Sequence, residues 1–315
     1  MDRLTDIALF LRVLDLGSIS AAARNLGLST AVASKRLQRL EHELGVRLLQ
    51  RTTRQLHVTP EGAALAAQGR MLVEDLEALT SGLRQTGTEV TGALRVSTSS
   101  SFGRLFISPL LPEFLALHPG VQISIHFSDE LIDLVSAGFD VAIRIGVLND
   151  SRLVARQLAT NQRVLCAAPT YLEQHGVPQT PADLEQHQCL VLVGSLGRQD
   201  VWRLTDRVGQ ETATRVKGQL ESNLGETLRD AALAGLGIAS HSTWHISDDL
   251  RSGKLLRVLP DYSIAESGIY AVMPQRRLVP PRVRTFIEFL VQKFADPGYW
   301  NHGLAASDTR PLPTH

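Results

Sequence analysis

The chain has 315 residues, 43% hydrophobic and 20% charged, with 32 basic and 32 acidic side chains. That length exceeds one small core and points to two or three domains. No apolar run approaches the ~18 residues needed to cross a bilayer, and Met1–Asp6 lacks the pattern of a secretory leader, so a cytoplasmic protein with no membrane contact is expected. The zero net charge conceals an asymmetry: residues 1–60 carry nine Lys/Arg against five acids, whereas residues 61–90 carry five acids against Arg70 and Arg84. A basic module on a neutral body fits local contact with a polyanion.

A first helix is predicted over about Leu4–Leu16, turning Ile7, Phe10, Leu11, Val13 and Leu14 inward. Gly17 ends it, and Ser18 caps a second helix over Ile19–Leu26. Gly27 makes a turn, and Ser29 caps a third helix over about Thr30–Leu44. Val32, Ala33, Leu37, Leu40 and Leu44 are expected to pack inward. The opposite face shows Thr30, Ala31, Ser34, Lys35, Gln38 and Arg39. Hydroxyls, an amide and cations displayed from a helix N-terminal end suit base edges and phosphates; an ordinary solvated face is the alternative. Leu48, Leu56 and Val58 suit two short strands around the basic tip Arg51-Thr52-Thr53-Arg54. Such a hairpin beside a helix-turn-helix is a wing that grips the neighbouring DNA backbone.

Thr59 or Pro60 starts a long helix that continues to about Thr86. Its Leu65, Leu72, Leu76, Leu79 and Leu83 form an a/d-like seam, with Gly69 in the missing place, as in a dimerising helix; packing on its own domain is the alternative. Gly82, Gly87 and Gly92 mark a hinge. Short β-branched runs follow at Ala93–Ser97, Gln122–Phe127, Asp140–Ile145, Val164–Ala168 and Leu190–Val193, with a helix expected at Leu131–Ala137. Alternating strands and helices imply mostly parallel, helix-covered sheets, and about 200 residues suggest two lobes. Cys166 and Cys189 have no metal-like spacing and read as buried free thiols.

The stretches Leu16-Gly17-Ser18-Ile19-Ser20-Ala21-Ala22-Ala23, Leu37-Gln38-Arg39-Leu40-Glu41, Leu44-Gly45-Val46-Arg47-Leu48-Leu49, Arg51-Thr52-Thr53-Arg54 and Val58-Thr59-Pro60-Glu61-Gly62 together resemble the LysR-type transcriptional regulators. Further on, Phe102-Gly103-Arg104-Leu105, Gly138 to Gly146 and Ser222-Asn223-Leu224-Gly225-Glu226 resemble the effector-domain signature of one branch. The resemblance implies an all-α winged helix-turn-helix with a long linker helix, then a two-lobed α/β effector domain like periplasmic solute-binding proteins. It sets the domains at 1–60, 61–91 and 92–295, with a loose tail at 296–315. Lobe I would hold 92–162 and 268–295, and lobe II 163–267. It also implies a homodimer or tetramer on promoter DNA, with altered contact to RNA polymerase. Gln-Pro is common in the family where this chain has Thr30-Ala31, and Arg where it has Lys35, so the base preference there is its own.

In open α/β sheets, ligands bind beyond the carboxyl ends of strands. Ser99, Ser100, Ser101 and Phe102 follow the first effector-domain strand and could offer hydroxyls and backbone N–H groups to an anion; simple capping is the alternative. Ser128 ends the second strand, and Arg144 could pair with a carboxylate or with Asp129 or Asp140. From the second lobe come Trp202 as an apolar wall or core residue, Asn223 as a helix cap, and His241 as a contact or structural histidine. A small organic anion is the expected effector. No lipase elbow, P-loop, zinc-protease or dinucleotide motif occurs, so no enzyme, metal or cofactor is expected. A transport protein does not fit the missing leader pattern and the DNA module, and an effector-independent architectural DNA binder is an alternative that ligand-dependent footprinting would separate from a regulator.

Overall fold

The computed structural model describes residues 3–51, 56–83, 90–146, 153–194, 197–275 and 279–295. The head opens with α1 (Arg3–Leu16), α2 (Ile19–Asn25) and α3 (Thr30–Leu44). Ser18 Oγ accepts from the Ala21 N–H and Ser29 Oγ from the Val32 N–H. Both serines thus satisfy donors that a first helical turn leaves open. Leu9, Phe10, Val13, Ala22, Ala23, Ala33, Leu37 and Leu40 close the core. One charge lies within it. Asp6, 2% exposed, accepts from Arg36 Nε at 2.6 Å and from Arg39 Nη2. Two guanidinium groups offset the desolvation of one carboxylate and tie α3 to α1. Burial raises the carboxyl's pKa, but the bonds and charges of Arg39 and Arg36 outweigh it and hold Asp6 below the ordinary range.

The wing pairs β1 (Leu49–Arg51) with β2 (Leu56–Val58), antiparallel, with Gln50 opposite His57. Glu41 Oε1 accepts the Leu48 and Leu49 N–H groups at 2.8 and 3.1 Å and so pins the wing to α3. The linker helix α4 (Pro60–Leu83) begins at once, with Pro at its first position. Thr59 Oγ1 donates to the Arg47 carbonyl at 2.6 Å and accepts from the Gly62 N–H at 3.0 Å. A Cβ at Gly62 would lie 2.2 Å from the Leu48 carbonyl oxygen, so only glycine allows this approach.

Part of the expected seam faces home. Leu65, Ala66 and Val73 pack on the head's own core. Gly69 is buried against α1, where a Cβ would come within 2.9 Å of Ile7 Cγ2. Leu72 and Leu76, by contrast, are exposed. The side chains of Leu79 and Leu83, like the residues from Arg84 to Glu89, lie outside the described residues.

The chain then forms β3 (Gly92–Thr98) and a helical run. That run passes from α5 (Ser100–Phe102) through a π turn (Gly103–Ile107) and a 3-10 turn (Ser108–Leu110) to α6 (Leu111–Leu117). Next come β4 (Val121–Phe127), β5 (Val141–Gly146) and β6 (Leu153–Asn161). The chain crosses at Gln162 into β7 (Arg163–Ala167), α7 (Pro169–His175), β8 (Cys189–Gly194), β9 (Gly197–Arg198), β10 (Val201–Thr205), β11 (Glu211–Arg215), β12 (Glu221–Ser222), α8 (Gly225–Leu233), β13 (Ile238–Ser242), α9 (Thr243–Arg251) and β14 (Leu256–Val258). It returns through β15 (Ser267–Pro274) to α10 (Pro281–Lys293).

Two sheets result, ordered β4-β3-β5-β15-β6 and β12-β8-β13-β7-β14, with β9 on β8. Strand β3 is parallel to β4 and β5, and β8 to β12 and β13. The expected mostly parallel sheets are nonetheless mixed. β15 runs against β5 and β6, and β7 against β13 and β14. The cause is the double crossing: β7 and β15 each start at the crossings, so they run opposite to strands that end there. Leu131–Ala137 also differs from expectation, being turns rather than a helix. Asp133 Oδ1 accepts the Val135 and Ser136 N–H groups at 3.0 and 3.3 Å, closing a side-chain turn in place of a helical one.

Cys166 and Cys189 are free and buried, and burial pushes both thiols up to about 12. No helix among the described residues is long and apolar enough to cross a membrane. The tail at 296–315 lies outside the described residues. Replacing Asp6 with Asn removes the carboxylate that Arg36 and Arg39 share at the α1–α3 contact. Urea unfolding of the full chain should show the head destabilised by about 3 kcal/mol; a loss below about 1 kcal/mol would mean the ion pair is dispensable.

Candidate functional site

On α3, Thr30, Ala31, Lys35 and Gln38 are exposed, as is the cap Ser29, while Ser34 and Arg39 are half-buried. Two expectations change. Val32 does not pack inward; it is 44% exposed. The inward rhythm is Ala33, Leu37, Leu40 and Leu44, and Val32 falls one residue out of that phase, a signal the sequence already held. Arg39 points at Asp6 and lies 3.8 Å from Glu43 Oε1, so its charge is answered within the head. Arg51 ends β1 opposite Leu56. Thr52, Thr53 and Arg54 lie outside the described residues.

In the effector region, β3, β4 and β5 end at Thr98, Phe127 and Gly146, on the side of the sheet where β6 ends and β15 begins. In the second sheet, Ser242 at the end of β13 pairs with Arg163 at the start of β7. The expected cleft would therefore lie between these strand ends, floored by the two crossings. These are bonded to each other. Gln162 Nε2 donates to Glu266 Oε1, and Asn161 Nδ2 to Ser267 Oγ, both at 2.9 Å. Trp244 of α9 donates Nε1 to Asn161 Oδ1 at 2.9 Å. Its ring meets Phe102 edge-on at 5.2 Å and Phe106 at 5.9 Å. A side chain of the second lobe is thereby built into the aromatic core of the first.

The first-lobe candidates divide. Ser99 makes no side-chain cap bond. The Ser100 N–H, expected to await an anion, donates to Asp129 Oδ1 at 3.2 Å. Ser101 is buried, and Phe102 is wholly buried in the lobe core, where it holds the fold together instead of lining the cleft. Ser128 Oγ accepts the Glu130 N–H at 3.2 Å. Arg144 is half-buried, with Nη1 3.4 Å from the Ser128 carbonyl and Nη2 3.4 Å from Ser97 Oγ. Among the described residues no carboxylate pairs with it. Asp140 instead takes the Arg95 N–H at 2.8 Å and faces Arg282. Burial pushes the Arg144 guanidinium down from its usual range, with the charge of Asp129 opposing.

The second-lobe candidates mostly leave the cleft. Trp202 sits with Leu204 and Val216 in that lobe's core. Asn223 is exposed and does not cap α8. Leu224 holds the cap position, and its N–H goes to Ser222 Oγ at 3.0 Å. His241 is buried, with Nε2 donating to the Gly225 carbonyl at 3.0 Å and its ring 4.9 Å from His245. Burial, then the neighbouring His245 and arginines, pushes it down to about 3; burial likewise takes His245 to about 4. No group of three potential metal ligands occurs among the described residues.

Sequence reasoning missed Arg163. It opens β7 just past the first crossing, with Nη2 donating to the Ser240 carbonyl at 2.8 Å and Nη1 to Gln199 Oε1 at 3.4 Å. Its Nε is buried without a partner. The available signal was an arginine at the head of an otherwise apolar run, Val164–Ala167. A cavity of about 580 Å³ elsewhere, between α1, α4 and the first lobe, is lined by Arg12, Asp15, Arg70 and Arg95 among others. Its walls come from α1, β2, α4, β3, β4 and the turn before β5, which no local pattern could announce.

Residues 4–63 match the bacterial regulatory helix-turn-helix proteins of the lysR family, and residues 87–295 match the LysR substrate binding domain. The chain belongs to the LysR family. As a LysR-type protein it is a DNA-binding transcription regulator with a substrate-binding domain. It is 38% identical over 283 residues to an uncharacterized HTH-type transcriptional regulator of Haemophilus influenzae, covering 90% of this chain and 98% of that one. It is 37% identical over 293 residues to the regulator DmlR of Escherichia coli, covering 93% and 95%. Among solved structures, it resembles CrgA, a LysR-type transcriptional regulator of Neisseria meningitidis (TM-score 0.59, 30% identity, 93% and 99% covered). It also resembles full-length AphB, the Vibrio cholerae virulence activator (0.57, 29%, 93% and 99%).

The two histidines of this LysR-type regulator predict an acid response. Their folded pKa values lie below the unfolded value near 6.5. Their contribution to stability is therefore complete above pH 6.5 and is lost as pH falls toward 4, by up to about 1.4 kcal/mol per pH unit for each histidine. Thermal unfolding across that range should fall less steeply for His245→Phe than for the natural protein; equal slopes would contradict the assignment.

Proposed function

We propose that the regulator reads promoter DNA with the outer face of α3 and the wing, and pairs with a second copy through α4. Control comes from a small organic anion held between the lobes. The observation that carries the anion is Arg144, a half-buried guanidinium whose near partners are two neutral oxygens at 3.4 Å. A carboxylate offers it a charge-assisted, bidentate partner. The exposed Ser29, Thr30, Ala31, Lys35 and Gln38 supply groove contacts, and Val32 adds a surface for thymine methyl groups. Ser34 reads a base edge, while Arg51, Thr52, Thr53 and Arg54 serve the backbone. Exposed Leu72 and Leu76 form the partner-facing part of the linker. Effector binding alters the lobe angle, hence the spacing of two heads in a dimer or tetramer, the bend in the DNA and the contact with RNA polymerase.

Calorimetry of the full-length protein against a panel of organic acids tests the switch. At least one acid should bind, with Arg144→Ala weakening it about tenfold or more; binding of neutral molecules alone would sink the idea. On DNA, Lys35→Ala should weaken all sequences alike and lower the salt slope by about one. Ser34→Ala should instead shift preference at particular positions in selections from randomised sites. The reverse pattern would mean the groove-facing side is misassigned.

A further inference from the structure

Buried cations in this fold are usually answered by carboxylates. Arg36 meets Asp6, and Arg282 faces Asp140. Arg229 meets Asp249 with two bonds, at 2.6 and 2.9 Å. Arg144 and Arg163 break this habit. Arg144 reaches two neutral oxygens, and Arg163 reaches a carbonyl and an amide oxygen while its Nε has nothing. Removing a guanidinium from water without a counter-charge is unfavourable, so two such groups bordering one cleft call for an external anion.

Their placement is complementary. Arg144 stands near the end of β5 on the first lobe's sheet, and Arg163 is the first residue of β7 on the second's. Gln162 and the bonded crossings separate the two walls. Asp129 contributes negative charge near Arg144 but is bonded to the Ser100 N–H. On the second wall, the Arg163 Nη1 contact is only the Gln199 amide, a neutral group of carboxylate shape. One carboxylate could answer one guanidinium and leave the other bare. A molecule with a carboxylate at each end answers both and is bound by both lobes at once.

We propose that Arg144 and Arg163 are the two poles of a single effector site, and that its occupant is a compact diacid gripped at one end by each lobe. This rests on the reading of the cleft as the effector site. The diacid draws the lobes together because neither pole is satisfied unless both walls contact it. A monoacid binds one wall and exerts no such pull.

The test uses the full-length protein, calorimetry, and diacids from malonate to adipate, with butyrate as the single-ended comparison. A diacid of fitting length should bind about tenfold or more tighter than butyrate. Arg144→Gln and Arg163→Gln should each reduce the diacid to the butyrate level. Because Arg163→Gln could fail to fold, Gln199→Glu provides a second readout. It gives Arg163 a built-in carboxylate, so it should raise the melting temperature of the ligand-free protein and weaken the diacid about tenfold while sparing butyrate. If diacids and butyrate bind alike and Gln199→Glu neither stabilises nor weakens, the two-pole site is wrong and the anion cleft stands. If no acid binds, or Arg144→Gln changes nothing, the anion cleft itself falls and the two-pole site with it.

Discussion

The side-chain amide of Asn161 is the point on which the effector domain turns. Its Nδ2 reaches Ser267 where the chain returns to the first lobe, and its Oδ1 receives Trp244 from the second. The residue is 2% exposed, so these bonds are shielded from competing water. One amide thus joins the outgoing strand, the incoming strand and a helix of the opposite lobe. This is one fastening between the lobes, and the ion pair of Arg104 with Glu226 is another. Trp244 adds apolar burial against Phe102 and Phe106, which makes the fastening more than a polar contact.

Local chemistry was the most legible part of the sequence. Ser18, Ser29 and Pro60 act within a few residues of themselves, and their roles follow from backbone geometry alone. Val32 was misread because it adjoins a buried residue; the strict phase of Ala33, Leu37, Leu40 and Leu44 leaves it outside. Gly69 was read as part of an intermolecular seam because a heptad pattern does not say which neighbour covers it, and α1 covers it here. The antiparallel ladder of β6 with β15 was invisible, since its partners lie more than a hundred residues apart. At the strand ends, chain order placed Ser128 just after β4 and Arg144 near the end of β5, as the structure has them. Phe102, Trp202 and His241 went into cores instead, because an aromatic ring beside a strand end is as useful to packing as to a ligand. Arg163 escaped notice because its isolation is a property of its surroundings.

Charge in the head does two jobs with the same residue type. Arg36 and Arg39 belong to the basic segment that suggests DNA, yet both are directed at Asp6. Coulombic count therefore overstates the cations left for phosphate. On the same face of α3, Lys35 is exposed. Glu41 shows the converse. An acid on α3, in the basic segment, organises two backbone donors of the wing.

The weld between wing and linker has a mechanical consequence. Thr59 binds the Arg47 carbonyl, and Gly62 lies against the Leu48 carbonyl, leaving no compliant residue between the head and α4. A helix of 24 residues is about 36 Å long. Tilting such a rod by about 5° displaces its far end by roughly 3 Å, close to the axial rise of one base pair. Coupled this way, head and linker would move as one lever whose gain comes from its length, and a glycine inserted at the weld would uncouple them.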